Sequence, residues 1–131
     1  MRIFEHEIEM IKGFSVIWRN SPDYDKYLDE YNGDENHMSG NDPLDFFSLP
    51  DDEKEALICW IDYALEPDND NLCPNHSYSL KHIYERDMGK YVTNGQFKGA
   101  MIKYGFDPVN PRELNCYYRV KFDADILEKY K

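Results

Sequence analysis

Polar and apolar residues alternate at the start of the chain. Phe4, His6, Ile8 and Met10 are interleaved with Glu5, Glu7 and Glu9, a strand pattern. Lys12-Gly13 would turn that strand into a second one, FSVIWR. Phe4, Ile8, Ile11 and Phe14 also fit one face of a helix. The clean Glu alternation and the β-branched, aromatic second run favour the hairpin. SPDYDKYLDEY then predicts a short acidic helix beginning after Ser21-Pro22. NGDENHMSGNDP, residues 32–43, predicts a loop, because turn formers dominate it and its apolar content is a single Met.

The strongest helical signal is SLPDDEKEALICWIDYAL, residues 48–65. Ser48 and Pro50 provide a start, and Asp51, Asp52 and Glu53 suit the positive end of the helix dipole. Leu57, Trp60, Ile61, Ala64 and Leu65 form one apolar stripe. EPDNDNLCPN, residues 66–75, is a turn-rich linker. Ser77 or Ser79 then opens a helix with Leu80, Ile83 and Tyr84 on one face, and Gly89 is placed to end it in a left-handed cap. Thr93 and Gln96 form a capping box for the next helix, which buries Phe97, Ala100, Met101 and Tyr104 before Gly105 stops it. FDPVNPREL is a Pro-punctuated turn, NCYYRVKF (residues 115–122) alternates as a strand, and ADILEKYK is a short tail with helical character.

Charge divides this chain of 131 residues. Its net charge is −11, but residues 1–72 carry 19 acidic against 5 basic side chains and residues 73–131 carry 7 against 10. We therefore expect an acidic N-terminal portion and a mildly basic C-terminal portion over residues 73–131, with the chain divided into an acidic N-terminal extension, residues 1–47, and a module over residues 48–131 that includes the helix of residues 48–66. So acidic a surface would be repelled by the phosphate backbone if it wrapped nucleic acid as a whole. At 15% aromatic, the chain can build a core. MRIFEHEIEMIKGF has three Glu where a signal peptide needs an apolar run, and no segment is long and apolar enough to cross a membrane. Three Cys without a CxxC pair fit reduced thiols, so a soluble cytoplasmic protein is expected, monomeric or homodimeric.

The order helix, linker, helix, tight connection, helix, turn, strand is that of a winged helix-turn-helix. SLKH, YVTNGQFKGAM, the GF that follows and NCYYRV carry a further likeness. Through them residues 76–121 resemble a winged-helix-like segment of small uncharacterised proteins of bacterial mobile elements and phages. The expected fold class is α+β: a winged helix-turn-helix-like C-terminal module with an acidic N-terminal α/β extension. If the helix after Thr93 reads nucleic acid, Asn94, Gln96, Lys98, Gly99, Ile102 and Lys103 face outward, with Arg119 and Lys121 on the wing strand. A solvated helix carries the same residue types, and winged helices also dock proteins.

The acidic cluster is the most prominent feature. Asp23, Asp25, Asp29, Glu30, Asp34, Glu35, Asp42, Asp45, Asp51, Asp52, Glu53 and Glu55 lie close together, interleaved with Tyr24, Tyr27, Tyr31, Phe46 and Phe47. Carboxylates spaced along a surface imitate phosphates, and aromatic anchors add contact area. The competing explanation is a solvated face that keeps the chain soluble. EYNGDENHMSGND lacks the spacing of a calcium loop. Cys73, His76, His82 and Cys116 approach zinc-ligand spacing, but without a second close pair no metal is assigned. Cys59 sits beside an apolar stripe, as a small buried residue would. There is no P-loop, GxGxxG, HExxH or GxSxG. The expectation is a non-enzyme without cofactor that binds a basic, nucleic-acid-handling protein such as a CRISPR or restriction effector. It would act as an anti-CRISPR or antirestriction protein does, by analogy. A winged-helix DNA-binding regulator is the alternative.

Overall fold

The computed structural model describes residues 3–30 and 39–123. The N-terminal hairpin expectation is corrected: Glu5–Arg19 form one helix, α1. Both periodicities fitted this segment, and tertiary packing decided between them. Ile11, Ser15 and Trp18, spaced i, i+4, i+7, are buried together. Two of the acidic residues that mimicked a strand, Glu5 and Glu7, instead occupy the first turn, and Glu7 turns back to accept the Phe4 backbone N–H at 3.1 Å.

The acidic helix predicted next is α2, Pro22–Glu30, with Pro in the first turn and the Ser21 hydroxyl accepting the Tyr24 N–H at 3.2 Å. The region expected to be loop, residues 32–43, contains one 3-10 turn, Ser39–Asn41, and leads at its last residue into a second, Pro43–Ser48. Asp42 begins the second by accepting the Leu44 N–H at 3.0 Å. Phe46, expected as an exposed anchor, is fully buried, a burial that contributes about 1.5–3 kcal/mol. Helix α3 spans Asp51–Ala64 and buries Leu57, Trp60, Ile61 and Ala64, as its pattern required. Its start falls at Asp51 because residues 43–48 are committed to the preceding turn.

Helix α4, Ser77–Met88, ends at Gly89 in the left-handed conformation with φ 66°. Helix α5, Asn94–Tyr104, carries the Thr93–Gln96 capping box and stops at Gly105 with φ 118°. Strand β1, Leu65–Pro67, pairs antiparallel with β2, Val120–Phe122, in the register Leu65↔Phe122, Glu66↔Lys121, Pro67↔Val120. The strand expected over residues 115–122 is thus shorter. Its earlier carbonyls accept from scattered donors, Asp68 N on Arg119, Cys73 N on Tyr118 and Ser77 N on Cys116, because the facing linker turns too often to run a ladder. The fold is α+β, mostly helical with this small sheet.

One hydrophobic cluster joins Ile11, Phe46 and Leu49 to Trp60, Tyr84, Phe97, Met101 and Tyr118. It crosses the boundary expected at residues 47 and 48. Trp60 meets the rings of Tyr84 and Phe97 edge-on at 5.5 and 6.4 Å, and its indole N–H donates to Asp87 at 2.9 Å. Helix α5 lies at the centre. A Cβ on Gly95 would come 2.4 Å from the Asp42 carbonyl oxygen, and one on Gly99 2.2 Å from that of Pro43. Only glycine lets the backbone of residues 42–43 lie this close to the helix.

Candidate functional site

The residues expected to face outward from α5 do not do so. Asn94 is 5% exposed, Lys98 2%, and Gly99 and Ile102 are buried. The physical reason is the Gly95–Gly99 pair, which draws residues 39–49 and α1 over that side of the helix. The donors there are taken up by the chain itself, whereas the Asn94 Oδ1 is buried without a hydrogen-bond partner among the described residues. The Asn94 amide donates to Asn41 Oδ1 at 3.1 Å, the Leu114 carbonyl at 3.0 Å and Asn115 Oδ1 at 3.2 Å. Gln96 donates to the Ser48 hydroxyl at 3.1 Å. Lys103, half-buried, pairs with Glu7 at 3.0 Å. Burial pushes the Glu7 carboxyl up, but the bonds from Lys103 and the Phe4 N–H outweigh this and hold it below the usual range.

Lys98 is the most unusual group. Its ammonium donates to the carbonyls of Asn41 at 2.9 Å and Leu114 at 3.1 Å, and lies 4.5 Å from the Trp18 ring centroid. Burial pulls its pKa below the ordinary lysine value, against the pull of Asp42, Asp45 and Asp23. It fastens α1, residues 39–41 and residue 114 to α5. On the wing side, Arg119 is exposed, and Lys121 pairs across the strands with Glu66 at 3.6 Å.

The acidic residues divide into two groups. Asp25, Asp29, Asp51 and Asp52 are exposed on α2 and the first turn of α3, with Asp51 3.6 Å from Lys54. Asp23 is half-buried and accepts the Leu114 N–H at 3.2 Å. Asp42 and Asp45 are corrected, because they belong to the packed 3-10 turn and not to an open surface. Asp42 is buried, holding Arg19 at 2.6 Å. Asp45 is half-buried, and burial together with the Asp42 charge pushes its carboxyl up to about 6. The Glu30 side chain, Tyr31, Asp34, Glu35 and the tail 124–131 lie outside the described residues.

The remaining chemistry is spoken for. His76 Nδ1 accepts the Ser79 N–H at 3.3 Å and starts α4, while His82 meets Glu85 at 2.9 Å. Cys73 and Cys116 are buried, which pushes both thiols up and away from thiolate chemistry. Cys59 is exposed, not buried as its place beside the stripe suggested. Among the described residues no three His, Cys, Asp or Glu side chains are placed to hold a metal ion. An open cleft of about 280 Å³ lies between Pro22, Asp23, Asn110, Arg112 and Glu113, with walls of both charges. Sequence reasoning missed the Lys98 cluster; the Gly95-x3-Gly99 spacing was the signal that α5 is approached closely. Compared with known protein families, curated proteins and solved structures, the chain matches none.

Proposed function

We propose that this chain is a non-enzymatic acidic interaction protein that occupies a basic nucleic-acid-binding surface on a partner. The observation that carries the reading is the exchange of roles between α5 on one hand and α2 and α3 on the other. The polar side chains of α5 are held inside by the chain's own acceptors, whereas Asp25, Asp29, Asp51 and Asp52 stand in solvent on α2 and α3. A surface of carboxylates attracts Lys- and Arg-lined channels and repels phosphate. The likeness to mobile-element and phage proteins makes a host defence enzyme, of the CRISPR or restriction kind, the partner class proposed.

The order α3, β1, α4, α5, β2, with the two strands paired, favours a winged-helix layout and with it the regulator reading. That reading would need the wing, Arg119 and Lys121, to bind without the recognition helix. Two measurements separate the readings. Anisotropy of a labelled duplex is expected to stay flat even at low salt; binding that weakens steeply with salt would transfer the assignment to DNA. A protein captured on the immobilised chain is expected to be displaced by duplex DNA and lost when Asp25, Asp29, Asp51 and Asp52 are changed to Lys. Capture that survives both would defeat the proposal.

A further inference from the structure

Residues 39–49 lie across α5 and are tied down from two sides. From α5, Lys98 donates to the Asn41 carbonyl at 2.9 Å, Asn94 to Asn41 Oδ1 at 3.1 Å and Gln96 to the Ser48 hydroxyl at 3.1 Å. From α1, Arg19 reaches Asp42 through Nε at 2.6 Å. Between these ties stand two carboxyl groups, Asp42 and Asp45, in the first turn of the second 3-10 segment. The Asp45 N–H donates to the Asp42 carbonyl at 2.9 Å, and residues spaced i, i+3 in such a turn bring their side chains over one another. The two carboxyls are unequally partnered. Asp42 holds the Arg19 guanidinium and the Leu44 N–H, whereas Asp45 has no salt bridge among the described residues. The charges that face Asp45 are Asp42 on its own segment, Arg19 from α1 and Lys98 from α5. Arg19 is committed to Asp42, and Lys98 is bonded to two carbonyls.

We propose that Asp45 makes residues 39–49 a proton-operated latch, firm on α5 while its carboxyl is neutral and looser once it is ionised. Ionised, it is a half-buried charge beside the Asp42 charge with no cation of its own. When the segment lifts, the carboxyl regains water and moves away from Asp42, so ionisation favours lifting. Burial first, and the Asp42 charge second, push the seated carboxyl from 3.8 up to about 6, against the pull of the Asp42 N–H, Arg19 and Lys98. A raised value in the seated state means a hold that is full below 3.8 and is lost as pH rises through 6. The segment is therefore firm in an acidified medium and looser at neutral pH.

Native-state hydrogen exchange on the full chain, read by NMR and corrected for the intrinsic rate at each pH, tests this. The Leu44, Asp45 and Leu49 amides bond within the segment. They are expected to exchange ahead of the interiors of α3 and α4, which marks an opening of their own. Their protection is expected to fall roughly fivefold from pH 5 to pH 7, allowing for a half-exposed carboxyl. Asp45→Asn, neutral at both values, is expected to abolish the fall and keep the protection seen at pH 5. Asp42→Asn retains an oxygen for the Leu44 N–H, removes the neighbouring charge and releases Arg19. The Asp45 titration, followed by the NMR shift of its carboxyl carbon, is then expected to move below 6. A flat wild-type profile would overturn the proposal, and so would a fall that persists in Asp45→Asn. Exchange of the segment in step with α3 and α4 would leave only global unfolding and no latch. An Asp45 titration unmoved by Asp42→Asn would remove the carboxyl pair on which the latch rests.

Discussion

Asp45 and Lys98 set how the fold responds to pH. The Asp45 carboxyl rises from 3.8 to about 6 in the folded chain, so the folded state keeps a proton that the unfolded state gives up. The stability this group contributes is full below pH 3.8 and is lost as pH rises through 6. Asp45→Asn is expected to remove that loss and to raise stability at pH 7 by about 1 kcal/mol, after allowance for a half-exposed site. Urea unfolding of both proteins at pH 4 and pH 7 measures it. Lys98 behaves in the opposite sense. Its folded pKa lies below 10.5, so charging it opposes folding, and its contribution grows as pH rises toward that value. Lys98→Met strands the Asn41 and Leu114 carbonyls and is expected to cost about 2–4 kcal/mol. The gap between wild type and this variant should widen as pH rises toward 10.5 in the same assay.

Among the elements, the glycines of α5 and α1 make opposite predictions. Gly99→Ala places a methyl 2.2 Å from the Pro43 carbonyl oxygen and Gly95→Ala one 2.4 Å from that of Asp42, so each is expected to cost about 3 kcal/mol or more. Gly13→Ala meets open space inside a helix and is expected to stabilise by about 0.5–1 kcal/mol. Thermal melts of the three variants decide this. The same contrast explains what was legible from sequence. Helices α3, α4 and α5 could be read because caps and stripes agree locally, as with Thr93–Gln96 and Gly89. Helix α1 could not, since its Glu residues suit both a strand and a helix N-terminus and only the packing of Trp18 chose. The outward face of α5 was misread for a related reason: helical periodicity finds one buried side, and a helix at the centre of a molecule has no free one. Of the expected site, Asp25, Asp29, Asp51 and Asp52 are exposed as required, whereas Asp42 and Asp45 needed knowledge of a 3-10 turn that turn-forming composition conceals.

Across the whole molecule, a net charge of −11 works against compactness. Added sodium chloride screens that repulsion, so the melting temperature is expected to rise between low and moderate salt. A flat or falling profile would mean that pairs such as Lys103–Glu7 and Arg19–Asp42 outweigh the general repulsion. The hold of α5 on residues 39–43 also has a consequence in time. Asn41 is separated from Asn94 by 53 positions. At synthesis rates of about 5–20 residues per second, the first half of a nascent chain waits roughly 3–10 s for the helix that completes it. During that interval Trp18 and Phe46 lack their final covering, while the carboxylates crowded into the same half repel one unfinished polypeptide from another. A chain stopped at residue 90 is accordingly expected to stay in solution yet be cut rapidly by protease within its first fifty residues, while the full chain resists.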